Sequence, residues 1–370
     1  MSGIGALRKA SLQELLEAIG PLDREAMEAT ARRLDRLTKP PGSLGRLETL
    51  AIELAGIRGE PVISIDRPAI AVFAGDHGIT RQGVSPYPPE VTRQMVANFA
   101  AGGAAINVLG RAARADLVVV DVGVTGESLA LEPDGPAAGA AGARFVGARV
   151  APGTRDFSVE PAMSRDETLA AVDVGRLIAA ALIDDGCDLL GVGEMGIGNT
   201  TASSALVAAL TGRPAAEVTG RGTGLDDAGV RRKAAVIDAA LARHRPDPED
   251  PLDVLATVGG LEIAALVGAI LQAAADRTPV VLDGFITGAA ALVASRLAPD
   301  LPAHLIASHR SAEPGHRLVL ESLGLEPVLD LGLRLGEGSG VALAIPVVAA
   351  AARVLGEMAT FEDAGVSDRD

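Results

Sequence analysis

Short aliphatic runs recur along the chain and alternate with longer segments of helical spacing. Several of these runs are apolar at every position, as expected for strands buried on both faces of a sheet. The runs are AIAVFAG (69–75), DLVVVDVGV (116–124), CDLLGVG (187–193), PVVLDGF (279–285), HLIASH (304–309) and PVLDLGLRL (327–335). The segments between them are alanine-rich helical patterns such as GGLEIAALVGAILQAAA. This alternation predicts an α/β fold, with a parallel sheet covered by helices on both faces.

The two ends of the chain follow a different pattern. Helical spacing without a strand occupies residues 11–36 and 45–58, and VALAIPVVAAAARVLGEMATF begins another helix near the carboxyl end. We therefore expect the end segments to pack into a small helical domain beside the sheet. The predicted division is 1–65 and 341–370 for the small domain and 66–340 for the large α/β domain. A glycine- and alanine-rich stretch, EPDGPAAGAAGAR (132–144), is expected to form a surface loop.

Polar, glycine-rich loops come where the predicted strands end. They are GDHG, DVGV, GEMGIGNTT, DGF, SHRSAEPGH and GEGSG. Open α/β sheets bind ligands outside the carboxyl ends of their strands, so these loops would gather at the ligand edge. Each loop alone is equally well explained as an ordinary turn, because glycine is common in turns. Six such loops together predict a ligand site.

Composition excludes several classes of protein. With 48% hydrophobic and 22% charged residues in 370, the chain is typical of globular proteins, and its net charge of -15 argues against binding nucleic acid. The single Cys187 excludes a disulfide framework, and His309 and His316 lack zinc-ligand spacing, so no metal is predicted. The polar N-terminus and the absence of an apolar run of about 20 residues predict a cytoplasmic protein with no membrane partner.

Two glycine-rich turns could hold a phosphate. GEMGIGNTTASSALVAAL predicts a strand, a turn and a helix, whose backbone N–H groups and positive end would bind one phosphate with help from Thr200 and Thr201. It is neither a P-loop nor the GxGxxG of a dinucleotide-dependent dehydrogenase. A second turn, TGRGTGLDDAGVRRK, adds Gly222, Thr223 and Lys233. Ordinary helix caps would explain both turns as well.

Two carboxylates, Glu194 and Glu337, lie in loops at the predicted ligand edge. In an apolar pocket the pKa of a glutamate rises toward the range in which it can accept a proton at neutral pH. Glu337 is equally well placed to be the N-terminal charge of the helix that follows GEGSG. Asp76 and His77 could be an orienting carboxylate and a base, although a structural, hydrogen-bonded histidine is the favoured interpretation.

Nine motifs occur in a fixed order along most of the chain. They are KPPGSLGRLE (39–48), AGDHGIT (74–80), GVSPYPPEVTRQM (83–95), GGAAINV (102–108), GVGEMGIGNTTA (191–202), GRGTG (220–224), LDGFITGAAAL (282–292), SHRSAEPGH (308–316) and LRLGEGSGVALAIP (333–346). Together they resemble the nicotinate-nucleotide–dimethylbenzimidazole phosphoribosyltransferase family, over about residues 39–366. The resemblance implies a large domain with a Rossmann-like parallel sheet, a small helical domain built from both chain ends, and a homodimer.

The resemblance also implies an activity. Members of this family transfer the phosphoribosyl group of nicotinate mononucleotide to 5,6-dimethylbenzimidazole, which gives α-ribazole 5′-phosphate and nicotinate in cobalamin biosynthesis. The implied partners are therefore these small-molecule substrates, and no cofactor is expected. Two alternatives stay open: the same fold could use another acceptor base, or the chain could be a non-catalytic mononucleotide-binding protein.

Roles for individual residues follow from the family's motifs. Glu337 matches the general base that removes the proton of the acceptor. Glu194 and Lys233 match an acid and a lysine near the reacting ribose or phosphate. The positions that match those holding the mononucleotide are Gly196, Gly198, Asn199, Thr200, Gly222, Thr223 and Ser311.

The predicted acceptor pocket departs from the family in one stretch. Leu335 matches a residue that lines the benzimidazole pocket. Tyr87 and Met95, however, stand where the family has a small hydroxyl side chain and a glutamine. A phenol and a thioether can still pack against an aromatic ring. The identity of the acceptor therefore stays open to adenine, other benzimidazoles and phenols.

Overall fold

Strands and helices alternate through the middle of the chain in a computed structural model that describes residues 11–127 and 142–367. The strands among these residues are β1 Pro68–Gly75, β2 Asp116–Gly123, β3 Arg144–Gly147, β4 Leu189–Met195, β5 Val280–Leu282 and β6 Leu305–Ala307. The α-helices among them are α1 Leu12–Ala18, α2 Arg24–Arg36, α3 Arg46–Arg58, α4 Glu90–Ala101, α5 Ala105–Ala112, α6 Arg165–Asp184, α7 Asn199–Thr211, α8 Ala215–Val218, α9 Asp227–His244, α10 Pro251–Val258, α11 Leu261–Ala275, α12 Phe285–Leu297, α13 Pro314–Leu323, α14 Ser339–Glu357 and α15 Phe361–Ala364. Short 3-10 helices occupy Gly78–Gln82 and Leu301–His304.

The strands form one sheet in the order β3-β2-β1-β4-β5-β6 within the described residues. Every neighbouring pair is parallel. The strand order reverses between β1 and β4, and open sheets of this kind bind ligands in the crevice outside the carboxyl ends at that point. The predicted α/β fold with a Rossmann-like parallel sheet is therefore confirmed.

Helices cover both faces of the sheet because successive side chains of a strand point to opposite faces. Phe73, Val120 and Val192 belong to one buried cluster, together with apolar residues of α6, α7, α11 and α12. Ile70 and Val119 belong to the other, with residues of α3, α4 and α14. The continuously apolar strand sequences thus follow from burial on both sides.

The two ends of the chain pack against each other. α14 contacts both α2 and α3, and an isolated antiparallel bridge joins Leu37 to Thr360. Leu54 of α3 and Leu355 of α14 share a hydrophobic cluster with Ile70 of the sheet. The predicted boundary at residue 341 falls inside α14, and the division into a small and a large domain remains a prediction. Residues 1–10 and 368–370 of the predicted small domain lie outside the described residues.

Two parts of the predicted sheet differ from the structure. Residues 327–335 form no strand. They run beside the end of β6 and make only one bridge, between His309 and Leu329, because Asp330 and Gly332 interrupt the apolar run. The sixth strand is instead β3, a short segment with exposed ends at the margin of the glycine- and alanine-rich stretch. Most of that stretch, residues 132–141, lies outside the described residues.

One helix in the described part of the chain, α14, is long and apolar enough to cross a membrane by length and composition alone. However, 56% of its most apolar window is buried inside the fold. Val341 and Val348 are buried in the cluster that also covers the sheet. These are properties of a core helix.

Candidate active site

A cavity of about 80 Å³ lies at the carboxyl ends of the central strands. The end of β4, the start of α7 and four loops supply its walls. The lining residues are Glu194, Met195, Gly196, Ile197, Asn199, Thr200, Gly222, Thr223, Gly284, Phe285, Ile286, His309, Ser311, Glu313, Arg334, Leu335, Gly336 and Glu337. Nine of the thirteen residues predicted from the sequence are in this lining, so the structure gathers most of the predicted site in one place.

The loop that carries Glu337 is in a left-handed backbone conformation. The φ angles of Gly336, Glu337 and Gly338 are +86°, +65° and +84°, and among the three only Glu337 has a side chain that makes this conformation sterically unfavourable. A Cβ atom at Gly336 would lie 2.5 Å from Glu194 Oε1, and one at Gly193 would lie 2.5 Å from the Gly338 nitrogen. The glycines therefore allow this loop to lie directly against the end of β4.

The Glu337 carboxylate is buried, and its Oε2 atom has no hydrogen-bond partner. Burial, with a smaller contribution from the negative charge of Asp283, raises the pKa of Glu337 to about 7. A carboxylate with this pKa is suited to accept a proton at neutral pH. Its free oxygen and its raised pKa together make it the strongest candidate for a general base in the cavity.

Glu194 is the second carboxylate, at the end of β4. Asn199 Nδ2 donates a hydrogen bond to Glu194 Oε2, which fixes the side chain beside the first turn of α7. Burial, followed by the charges of Asp283, Glu262 and Glu337, raises the pKa of Glu194 well above its usual value. Several buried carboxylates so close together repel one another when all are ionised, so Glu194 favours its protonated form.

Asp283 is a site residue that the sequence analysis did not single out. Its Oδ2 accepts the N–H of Gly338 at 3.1 Å, and its Oδ1 accepts the N–H of Gly340 at 2.7 Å. It therefore anchors the Glu337 loop to the end of β5. Burial raises the pKa of Asp283, while His309 and the backbone N–H groups oppose the shift. The DGF motif marked this loop, but the partners lie 55 residues or more further on.

Another side of the cavity carries the basic groups, with Arg334 in the lining and Lys233 behind Thr200, and the Glu313 carboxylate lies beside them. Lys233 Nζ donates to Thr200 Oγ1 at 2.7 Å, and the Gly222 N–H donates to Glu313 Oε1 at 2.9 Å. Burial lowers the pKa of Lys233 to about 8, although the charge of Glu313 opposes this. Because the ammonium group donates to the hydroxyl oxygen, the Thr200 O–H remains free to donate into the cavity. This corner is suited to hold an anionic group.

The remaining predicted residues are placed as follows. Lys233 is buried behind Thr200 and does not line the cavity, and Gly198 is the N-cap of α7, with φ +100°. The N–H of Ser311 donates to His316 Nδ1 at 3.0 Å, which fixes the loop of Ser311 at the cavity wall.

Tyr87 and Met95 are not brought into the cavity lining. The Tyr87 side chain is about half exposed, and Met95 packs at the edge of the second hydrophobic cluster. Arg334, His309 and Glu313 line the cavity although the sequence analysis gave them no binding role. The SHRSAEPGH and LRLGEGSG motifs contained the signal for all three.

The cavity is smaller than the roughly 300–1,000 Å³ of pockets that enclose ligands of drug size. A ligand of that size must therefore also occupy the open mouth beside Leu335, or the loops must separate on binding. Within the described residues, no group of three or more His, Cys, Asp and Glu side chains is placed to hold a metal ion.

Comparison with known proteins is consistent with this geometry. A phosphoribosyltransferase family model matches residues 19–366. The chain is 56% identical to the nicotinate-nucleotide–dimethylbenzimidazole phosphoribosyltransferase of Chloroflexus aggregans over 358 residues, 97% of this chain and 98% of the relative. It is 52% identical to the protein of the same name from Salinispora tropica, over 97% of this chain and 100% of the relative.

A solved structure is also similar. The crystal structure of the enzyme with this name from Thermus thermophilus superposes with a TM-score of 0.86 at 47% sequence identity, covering 94% of this chain and 100% of that chain. The resemblance seen in the motifs is therefore confirmed. The chain belongs to the nicotinate-nucleotide–dimethylbenzimidazole phosphoribosyltransferase family.

Proposed function

We propose that the chain transfers the phosphoribosyl group of nicotinate mononucleotide to 5,6-dimethylbenzimidazole, which gives α-ribazole 5′-phosphate and nicotinate. The observation that carries the proposal is Glu337, a buried carboxylate with one unpartnered oxygen and a pKa raised to about 7. It lines the same cavity as the Thr200 hydroxyl, and Lys233 lies behind that hydroxyl. A proton acceptor and an anion site therefore share one cavity, as this reaction requires.

The reaction needs a base more than it needs an acid. The nicotinate ring leaves C1′ of the ribose as a neutral nitrogen, because the bond that breaks is to a pyridinium. Neutral dimethylbenzimidazole forms the new bond from one nitrogen to C1′ and loses a proton from the other. Glu337 would take that proton, a contribution typically worth about 10²–10⁴-fold in rate. Attack opposite the leaving ring converts a β-nucleotide into an α-riboside.

The basic corner would bind the phosphate of the mononucleotide. Thr200 can donate its O–H, and the positive end of α7 adds its backbone field. Gly196, Gly222 and Thr223 line the same wall, where a missing or small side chain lets the ligand approach the backbone. Lys233 would contribute from behind Thr200, through its charge and by orienting the hydroxyl.

The acceptor would lie at the mouth of the cavity, between Glu337 and the half-exposed Leu335. Tyr87 and Met95 are proposed to select the acceptor base, and their difference from the family pattern leaves other aromatic bases as candidates. A non-catalytic mononucleotide-binding protein is the less favoured alternative, because the chain belongs to an enzyme family. Such a protein would bind the mononucleotide but would carry out no proton transfer for which Glu337 could serve as the base.

The test is to incubate the purified protein with nicotinate mononucleotide and dimethylbenzimidazole and to measure nicotinate and α-ribazole phosphate by chromatography with mass detection. Equal amounts of the two products are expected. Nicotinate without the riboside would indicate hydrolysis, and a panel of other bases would then identify a different acceptor. If no base in the panel gives nicotinate while the mononucleotide still binds, the chain is a binding protein and the proposal is wrong.

We also propose that the protein is a cytoplasmic homodimer, as the family resemblance implies. The loop before Glu337 exposes the apolar side chains of Leu331 and Leu335, and such side chains are common at subunit interfaces. Sedimentation analysis should give twice the chain mass of 37.4 kDa. A single species at the mass of one chain would contradict the homodimer, and recovery in a membrane fraction would contradict the cytoplasmic location.

A further inference from the structure

A buried pair of ionisable side chains, His77 and Glu262, lies next to the cavity without lining it. His77 Nε2 is 2.6 Å from Glu262 Oε1, and neither side chain is exposed to solvent. His77 follows β1, whereas Glu262 is in the first turn of α11. Removing an acidic and a basic side chain from water costs free energy that their pairing often does not recover. A pair buried at this place therefore calls for an explanation other than stability.

Glycine residues shape the space around the pair. A Cβ atom at Gly75 would lie 2.8 Å from Glu262 Oε2, and one at Gly260 would lie 2.4 Å from His77 Cε1. Any side chain at either position would displace the pair. The surrounding backbone is therefore fitted to these two side chains.

The pair also contacts the turn between β4 and α7 from inside the protein. A Cβ atom at Gly196 would lie 3.4 Å from His77 Nε2 and 3.5 Å from Glu262 Oε1. A Cβ atom at Gly198 would lie 3.1 Å from His77 Cβ. The turn therefore packs closely against His77 and Glu262, with the Gly75 carbonyl oxygen and the Thr80 methyl group nearer still.

The pair can affect ligand binding because the turn lies between the pair and the proposed mononucleotide site. Gly196 lines the cavity, and the carbonyl of Gly196 accepts the N–H of Asn199 at 3.1 Å. Asn199 in turn holds Glu194. A small shift of the turn would move the backbone that faces the ligand and the side chain that orients Glu194.

We propose that His77 and Glu262 are positioning residues, which hold the Gly196–Gly198 turn in the shape that binds the phosphate end of nicotinate mononucleotide. Neither residue touches the substrate. The inference rests on the proposed function, since it takes the mononucleotide as the ligand of this turn. Glu337 lies on a separate loop, so loss of the pair should weaken mononucleotide binding strongly, whereas the displaced Glu194 should lower kcat only slightly.

His77→Ala tests the proposal, with His304→Ala as the matched control. His304 is also buried, and its Nε2 is 2.8 Å from the Gly20 carbonyl oxygen, at the amino end of β6 and away from the cavity. His77→Ala should raise both KM and the calorimetric Kd for nicotinate mononucleotide between about 10- and 100-fold, with kcat changed less than about threefold. His304→Ala should lower Tm while leaving KM within about twofold.

His77→Gln is the second variant, because its amide keeps a polar partner for Glu262 without an empty space. It should recover part of the lost affinity, whereas His77→Leu, which fills a similar space without a hydrogen-bonding group, should not. Equal recovery in both variants would show that only the volume of His77 matters and would contradict the proposal. An unchanged KM in folded His77→Ala, an equal rise in His304→Ala, or a loss confined to kcat would overturn the proposal. If the wild-type protein neither binds the mononucleotide nor releases nicotinate, the proposed function itself fails, which is a different outcome.

Discussion

The two sides of the cavity hold their charged groups in different ways. On the acidic side, burial raises the pKa values of Glu194, Asp283 and Glu337, and the three carboxylates destabilise one another's charge. On the basic side, Lys233 keeps a hydroxyl partner, and its pKa of about 8 leaves it mostly protonated at neutral pH. The carboxylates of the acidic side can therefore exchange a proton, whereas Lys233 on the basic side keeps its positive charge.

This difference assigns proton transfer to the acidic side of the cavity and binding of the mononucleotide to the basic side. Groups whose pKa lies near the working pH are suited to proton transfer, whereas a protonated lysine behind a hydroxyl is suited to hold an anion. Changes on the acidic side should therefore lower kcat, and changes on the basic side should raise KM for the mononucleotide. The variants below test this separation, from the largest expected effect to the smallest.

Glu337→Gln should have the largest effect. The amide keeps the shape of the side chain but cannot take a proton, so kcat should fall about 10²–10⁴-fold. The calorimetric Kd for nicotinate mononucleotide should stay within about twofold of the wild-type value, because the phosphate is held on the other side. A Kd that rises as much as kcat falls would show that Glu337 also contributes to binding, which would contradict the division of roles between the two sides.

The same substitution should increase stability at high pH. In the unfolded chain Glu337 loses its proton near its ordinary pKa, while in the folded protein it does so near pH 7, so the wild type loses stability as pH rises between these values. The loss is at most on the order of 3 kcal/mol. The Glu337→Gln variant does not undergo this pH-dependent loss. Its free energy of unfolding should therefore exceed that of the wild type at pH 8 but not at pH 4. Urea denaturation at both pH values would measure this; equal differences would contradict the raised pKa.

Lys233→Met should act on binding. Losing the ammonium group removes the positive charge behind Thr200 and the hydrogen bond that orients its hydroxyl toward the phosphate. If this weakens binding by about as much as one charge-assisted hydrogen bond, about 1.5–3 kcal/mol, KM for the mononucleotide should rise roughly 10- to 100-fold. Thr200→Val should raise KM in the same direction. Thr201→Val is the matched control on the same turn of α7, because the buried Thr201 hydroxyl has no hydrogen-bond partner. Steady-state kinetics in which kcat falls with KM unchanged would assign Lys233 to the chemical step.

Tyr87→Ser should have the smallest effect. The side chain is about half exposed, so its removal should change KM for dimethylbenzimidazole no more than about tenfold. The substitution restores the small hydroxyl of the family pattern, and it should shift the preference among competing bases toward dimethylbenzimidazole. Competition assays with paired bases would measure that preference. An unchanged ratio of products would show that Tyr87 does not select the acceptor.

Most of the fold could be predicted because burial on both faces leaves a continuous apolar signature. Residues 69–75 and 187–193 are examples, since almost every side chain in them is buried. The prediction of strands from continuous apolar runs failed where burial was only partial. β3 is short and has exposed ends, while residues 327–335 are apolar but are cut by Asp330 and Gly332 and form no strand.

The candidate site could be predicted where its signal is local. Glu337 stands out because Gly336 and Gly338 flank it, and the structure shows why the glycines are needed. Asp283 was missed because its role depends on N–H groups far along the chain. The contact of His77 with Glu262 likewise joins two segments that only the fold brings together.

The most direct test of Glu337 as the base is to measure kcat for the wild type and for Glu337→Gln across pH 5 to 9 with dimethylbenzimidazole. Titration of the acceptor affects both proteins, so the ratio of the two rates isolates the carboxylate. The ratio should rise about tenfold per pH unit and level off above pH 7, where Glu337 is deprotonated. A ratio that is the same at every pH would show that Glu337 positions the substrates and does not take the proton.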